Sequence, residues 1–258
     1  MKAMILAAGL GTRLRPLTDN RPKALVEVNG RTLLEITLSR LRSFGVREVI
    51  INVYHFADMI VEYLKTNGNF GMRIEVSHEK VLLDTGGGLK NAAYFFAGSS
   101  VEDSGRAEEP FILHNVDVLS TIDLRRMVQF HSENQALATL AVQDRGTSRY
   151  LLFDERRQLC GRRSGSEGEP ELVQPSLVRS SEQAQALAFS GIQVISPRLL
   201  TMMIEDGAFS IINAYLRLAA QGERILAFRA DEYYWRDLGR PEGVALAARD
   251  LEQKVIAQ

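Results

Sequence analysis

Short apolar runs bounded by turn formers alternate along this chain with longer stretches whose apolar positions recur every three or four residues. Met4-Ile5-Leu6, residues 48–52 and residues 72–77 are of the first kind and read as strands, the first of them a buried central strand. Residues 31–44 are of the second kind, with Leu33, Leu34, Leu38, Leu41 and Phe44 at largely helical spacing and Gly45 suited to end the helix. Residues 56–65 read as a second helix. The resulting βαβαβ rhythm is that of a parallel sheet covered by helices, so the fold class is α/β. Further on, residues 111–114, 138–142, 188–195 and 225–228 read as strands, and residues 150–153 and 158–160 as a hairpin turning at 154–157. Helices are expected from Leu124, over 197–203 and 209–220, and from Pro241.

The segments between these elements complete the outline. Residues 99–110 are polar and acidic and read as a solvated connection; over 161–175 apolar content collapses, which predicts a mobile or exposed arm. With 258 residues, 45% hydrophobic and 24% charged, the chain is expected to form one soluble domain over 1–258 with a full core. It has no run of eighteen apolar residues, and its N-terminus enters a strand with no signal-peptide apolar region, which predicts a cytoplasmic protein without a membrane partner. Cys160 is the only cysteine and has no partners at metal-site spacing, so it reads as a structural or bystander thiol. A net charge of -1 gives no global attraction to nucleic acid, and affinity for anions must be local. Oligomeric state, monomer or small homo-oligomer, stays open.

The strongest local feature follows the first strand. Gly9 and Gly11 let the main chain bend and bring its N–H groups close to a small ligand, while Arg13, Arg15, Arg21 and Lys23 place four cations there against Asp19 alone. Such a loop suits a polyphosphate. It is not a dinucleotide fingerprint, because Leu14 stands where a third glycine belongs and no acidic residue ends the next apolar run. Nor is it a P-loop, because Lys23 follows Pro22 and not a glycine. A second glycine run, Gly86-Gly87-Gly88, enters a short helix whose N-terminal amides are expected to be free donors for a flat ligand such as a nucleobase; alternatively it is a plain helix entry capped by Asp84 or Thr85. Asp117 lies just past a buried strand, where one carboxylate oxygen can hold Mg²⁺, and Asp123 is better placed to cap the next helix. Asp237 is too early to cap the helix that Pro241 opens, so it needs another role. Gly191 interrupts a strand; it marks a bulge or close backbone approach, or lets a helix pack tightly.

The run Leu6-Ala7-Ala8-Gly9-x-Gly11-Thr12-Arg13-Leu14-x-Pro16-Leu17-Thr18, closed by Pro22-Lys23, resembles the signature of the sugar-1-phosphate nucleotidyltransferases, and nearly the whole chain follows that family's catalytic domain. The resemblance implies a Rossmann-like three-layer sandwich with a mixed, mainly parallel sheet. It also implies condensation of a nucleoside triphosphate with a sugar 1-phosphate to an NDP-sugar and pyrophosphate. In that reading Arg13 and Lys23 are catalytic, while Leu6, Ala8, Gly9, Gly11, Thr12, Glu79, Gly86 and Gly87 bind the nucleotide. Asn115, Ser190 and Gly191 face the sugar, and Asp117 and Asp237 hold Mg²⁺. Many members carry a Glu-Lys-Pro segment after the hairpin; this chain has Arg162-Arg163-Ser164-Gly165, so Arg149, Arg162 or Arg163 are the candidates to replace that lysine. The left-handed helix repeats of longer members are not expected. Length and the Asp84–Gly88 stretch are most similar to short members that use UTP and N-acetylmuramate 1-phosphate. Guanylyltransferases of mannose or heptose 1-phosphate, thymidylyltransferases of glucose 1-phosphate and a non-catalytic regulatory subunit are the alternatives.

Overall fold

A computed structural model describes residues 1–97, 109–173 and 184–253. In chain order the elements are β1 (Lys2–Leu6), β2 (Glu27–Val28), β3 (Arg31–Thr32), α1 (Leu33–Ser43), β4 (Glu48–Val53), α2 (Ala57–Thr66), β5 (Arg73–His78) and α3 (Asp84–Asn91). Then come β6 (Phe111–Asn115), β7 (Val118–Ser120), α4 (Leu124–Glu133), β8 (Ala138–Gln143), β9 (Arg149–Phe153), β10 (Leu159–Ser164) and β11 (Glu171–Leu172). The chain closes with β12 (Gln185–Ile195), α5 (Arg198–Thr201), α6 (Ile211–Ala220), β13 (Ile225–Arg229), β14 (Trp235–Asp237) and α7 (Pro241–Glu252).

The main sheet runs β11-β10-β9-β12-β6-β1-β4-β5, with β8 pairing β12 and β13 pairing β8. Its centre is parallel, as the βαβ units require: Met4 lies between Ile50 and Leu113. Alternation along β1 divides two cores. Ala3 and Ile5 face α1, α2, α4 and α7 through Leu38, Ile60, Met127 and Ala247, and Met4 and Leu6 face α3, α5 and α6 through Leu89, Leu199 and Tyr215. The architecture is therefore a three-layer sandwich with a mixed, mainly parallel sheet. Among the described residues no helix is long and apolar enough to cross a membrane.

Most expected elements stand where the patterning puts them, and the differences have local causes. The first helix begins at Leu33 and not Arg31, because Arg31–Thr32 pairs with Glu27–Val28 and Thr32 caps the helix by accepting from Glu35 N. Its end is a Schellman turn: Gly45 N donates to Arg42 O and Val46 N to Leu41 O, with Gly45 at φ 90°. Asp123 caps α4 through Arg125 N and Arg126 N as expected, and Arg240 precedes Pro241 at the start of α7. Over 161–173 the expected arm is a largely exposed antiparallel hairpin, since β10 and β11 extend the sheet edge despite their polarity. Residues 174 and 175, and residues 99–108 of the expected connection, lie outside the described residues. Cys160 is buried, and burial pushes its thiol up to about 11, as suits a structural thiol.

The register of β12 shapes the region beyond the parallel strands. Its C-terminal part pairs β6, Ile192 opposite His114, while its N-terminal part pairs β9 on the same edge, Ala188 opposite Tyr150. The start of β9 therefore faces the C-terminal end of β6 across residues 189–191. There β12 bulges, its register against β8 shifting between Phe189 and Gln193.

Candidate functional site

Leu6 ends β1 in the sheet, and Ala7 and Ala8 remain buried while Gly9 emerges. The turn is then held by its own polar groups. Gly11 sits at φ 66°, and its carbonyl accepts from Leu14 N at 2.8 Å and from Thr18 Oγ1 at 2.9 Å. A Cβ at Gly11 would lie 3.0 Å from Thr18 Cγ2, so both the backbone angle and the space favour glycine. Leu14 is buried as an anchor, leaving Gly9, Thr12 and Arg13 exposed on the outer side of the loop.

Lys23, at the end of this loop, brings Nζ to 3.0 Å from Asp117 Oδ2. Asp117 is held by a two-stranded ribbon: Val118 of β7 pairs Asp237 of β14, and Leu238 N donates to the Asp117 carbonyl at 2.8 Å. Gly239 N donates to Asp237 Oδ1. One point in space shows how these groups converge. The position of a Cβ on Gly239 lies 2.9 Å from Arg13 Nη2, 2.9 Å from Asp237 Oδ1 and 3.2 Å from Asp117 Oδ2. Thus Arg13, Lys23, Asp117 and Asp237, separated by more than two hundred residues of chain, meet in one place. Burial pushes the Asp117 carboxyl up, but the charge of Lys23, its hydrogen bond and the charge of Arg13 outweigh that and hold it below the ordinary aspartate value.

Among the described residues no group of three or more His, Cys, Asp or Glu side chains could hold a metal ion. Two carboxylates facing one point nevertheless fit a hard divalent cation of the magnesium kind, which takes one or two protein carboxylates and fills its shell with phosphate and water oxygens.

The second glycine segment departs from expectation. Its helix amides are not free: Gly86 N donates to Phe209 O at 2.9 Å and Gly87 N to the same oxygen at 3.4 Å. Neither Asp84 nor Thr85 caps the helix. Asp84 Oδ1 accepts from Thr85 N, and Thr85 Oγ1 accepts from Ile211 N, so this segment is docked onto the irregular backbone of 207–210 and the first residue of α6. Glu79 is buried, with Oε1 accepting from Asn52 Nδ2 at 2.7 Å and Oε2 from Leu83 N at 2.9 Å. Asn52 Oδ1 in turn accepts from Ala7 N at 2.8 Å. A hydrogen-bonded line thus ties the first loop to the second. Asn52 was not among the expected site residues; the signal was a polar side chain closing the apolar run of β4.

On the other side, Asn115 ends β6 and Gly191 lies at φ 73° in the β12 bulge. A Cβ on Gly191 would meet Val118 Cγ2 at 2.9 Å and Asn115 Nδ2 at 3.0 Å, so it packs against strand ends and not against a helix. Ser190 is fully buried, its carbonyl accepting from Trp235 Nε1 at 2.7 Å. Of the three arginines considered for the missing lysine, Arg162 is paired with Glu171 at 2.7 Å, and Arg149 is exposed. Arg163 lies with its guanidinium 5.3 Å from the Tyr150 ring. A fourth, Arg145, had no periodicity or motif to mark it. It stacks 3.6 Å over the Trp235 ring and donates to Phe189 O at 2.8 Å.

A family model described as nucleotidyl transferase matches residues 2–151. Over 262 residues the chain is 32% identical to N-acetylmuramate alpha-1-phosphate uridylyltransferase of Caulobacter vibrioides, covering 97% of each protein. It is 29% identical to mannose-1-phosphate guanylyltransferase catalytic subunit beta of Xenopus tropicalis over 98% of this chain and 66% of that protein. Among solved structures, UDP-glucose pyrophosphorylase complexed with UDP-glucose matches with a TM-score of 0.75 and 18% identity, covering 98% of both chains. HddC from Yersinia pseudotuberculosis matches with a TM-score of 0.73 and 22% identity over 97% of this chain and 99% of that one.

Proposed function

The chain belongs to the nucleotidyl transferase family and is a sugar-1-phosphate nucleotidyltransferase, and from that premise we propose that it joins UTP to N-acetylmuramate 1-phosphate, giving the UDP-sugar and pyrophosphate. The observation that carries the chemical reading is the meeting of Arg13, Lys23, Asp117 and Asp237 around Gly239. The choice of base and sugar is supported by likeness to the Caulobacter uridylyltransferase over nearly the full length of both chains.

The reaction is an in-line attack by a phosphate oxygen of the sugar 1-phosphate on the α-phosphorus of the triphosphate; the bond from the α-phosphorus to the α–β bridging oxygen breaks, and that oxygen leaves with pyrophosphate. No covalent enzyme intermediate is needed, because the nucleophile is already an anion. The difficulty is bringing two anions together. Main-chain amides around Gly9 and Gly11 approach the phosphates, Arg13 balances charge developing on pyrophosphate, and Lys23 lies beside the reacting phosphates. Asp117 and Asp237 would hold the divalent cation, Mg²⁺ in this reading, which when bound supplies Lewis-acid charge stabilisation and a template for phosphate oxygens. Glu79 positions the second segment beside the base, while Asn115 and Gly191 border the sugar.

The test is pyrophosphate release by the purified protein with Mg²⁺, five common nucleoside triphosphates and a panel of sugar 1-phosphates. The expected result is turnover with UTP and N-acetylmuramate 1-phosphate, and a loss on the order of 10²-fold or more in Asp117→Ala. Preference for GTP with a mannose or heptose phosphate, or for dTTP with a glucose phosphate, would replace the substrate assignment. Near-normal turnover in a folded Asp117→Ala protein would remove the metal-binding role.

A further inference from the structure

Two arginines on the sugar side lack the carboxylate partners that neutralise Arg162, Arg198, Arg217 and Arg236 elsewhere. Among the described residues neither Arg145 nor Arg163 enters an ion pair within 4 Å, and the Nε of each is buried with no hydrogen-bond partner. Both guanidinium groups are instead laid over aromatic rings, Arg145 on Trp235 and Arg163 on Tyr150. The two form one row. Arg145 covers Trp235, two residues before Asp237, and donates to Phe189 O, next to Ala188, which pairs with Tyr150; Tyr150 pairs with Arg163 across β9 and β10. The row therefore lies between β14, which carries Trp235 and Asp237, and the start of β9, which faces the end of β6 across the β12 bulge.

Buried donors without partners are uncommon in folded proteins, and a guanidinium laid over a ring is held in orientation while its terminal N–H groups can still donate to an anion's oxygens. The reacting phosphates already have Arg13 and Lys23 at the convergence point. A single phosphate on a neutral sugar gives no reason for two further cations without a carboxylate partner within 4 Å. A carboxylate on the sugar does, because its two oxygens match the planar guanidinium fork.

We propose that Arg145 and Arg163 form a carboxylate-reading row that selects sugar 1-phosphates carrying a second negative charge on the sugar itself. The proposal rests on the nucleotidyltransferase reading of the site and deepens it: these residues determine specificity among sugars. Initial rates with UTP and Mg²⁺ test it on two substrates, N-acetylmuramate 1-phosphate and N-acetylglucosamine 1-phosphate, which differ only by the lactyl ether and its carboxylate. The wild-type protein should favour the acidic sugar by about 10-fold or more in kcat/KM. Arg145→Gln and Arg163→Gln should each lower that ratio by about 10-fold, chiefly through KM for the acidic sugar, with partial recovery in Arg163→Lys. A ratio unchanged in both folded glutamine variants, or an equal loss of kcat for both sugars, overturns the proposal. Equilibrium titration of the same two sugar phosphates separates the two readings. If neither turns over but the acidic one binds preferentially, and that preference is lost in Arg163→Gln, the row stands and the transferase reading fails; equal binding of both sugars removes the row.

Discussion

Around Gly9 the backbone is open: a Cβ built there would touch nothing nearer than the movable Lys23 Nζ, at 3.5 Å. At Gly86 and Gly87 it is closed, because a Cβ would fall 2.3 Å from a Phe209 ring carbon and 2.4 Å from the Gly207 carbonyl oxygen respectively. Both segments follow strands of the parallel sheet and both are rich in glycine. In the first, absence of a side chain leaves the main chain accessible to a ligand. In the second it admits another stretch of the same protein, whose Phe209 carbonyl also takes the helix amides. Glycine in a sequence marks a close approach; it does not say what approaches.

If this contrast is correct, changes on the open side should cost chemistry and changes on the closed side should cost folding. The largest effect is expected for Lys23→Ala, which removes the cation paired with Asp117 at the convergence point. A fall in kcat on the order of 10²- to 10³-fold is expected, read as pyrophosphate release. Next is Gly86→Ala, whose methyl has no space beside Phe209; overpacking should destabilise by about 1–3 kcal/mol. At roughly 2–4 °C per kcal/mol for a chain of this size, calorimetry would resolve it. Gly9→Ala should stay within about 0.5 kcal/mol of wild type in stability, yet lose activity as its methyl obstructs approach to the loop. A Gly86→Ala protein that melts like wild type, or a Gly9→Ala protein that melts early with full activity, would break the comparison.

The alternation of apolar runs was enough to read the α/β class and most of the longer elements, though not the short strands β2, β3, β7, β11 and β14, because period-2 and period-3.6 burial are local properties of the chain. The loop from Gly9 to Lys23 and Asp117 stood out for a different reason, since each combines charge with a strand end, where α/β sheets bind ligands, and Asp237 stood out because it lies too early to cap the helix that Pro241 opens. What could not be read was partnership across long separations. That Phe209 would occupy the amides of Gly86 and Gly87, or that Arg145 would lie on Trp235, depends on segments about 120 and 90 residues apart brought together only by the sheet's order. The strand pairing beyond residue 160, where β10 continues and β11 joins it, was not read because an edge strand needs only backbone pairing, which leaves no mark in side-chain hydrophobicity.

A coupling measurement tests whether the two glycine segments are joined. Asn52, 3% exposed, holds Ala7 N with its oxygen and Glu79 Oε1 with its nitrogen, so it bridges the loop that opens to ligand and the segment that is packed shut. Asn52→Leu should cost about 1–3 kcal/mol, since it leaves a buried amide and a buried carboxylate oxygen without partners. Glu79→Gln removes the charge from the other end of the bridge. In a double-mutant cycle by urea denaturation, the two changes together should cost less than the sum of their separate costs, with a coupling of about 0.5–1.5 kcal/mol. The Michaelis constant for the triphosphate should rise in Asn52→Leu even at temperatures where the protein is fully folded, because the Ala7 amide that shapes the loop loses its acceptor. Strict additivity with an unchanged Michaelis constant would mean that the open and closed segments are held independently, and that Asn52 serves only to fill the end of β4.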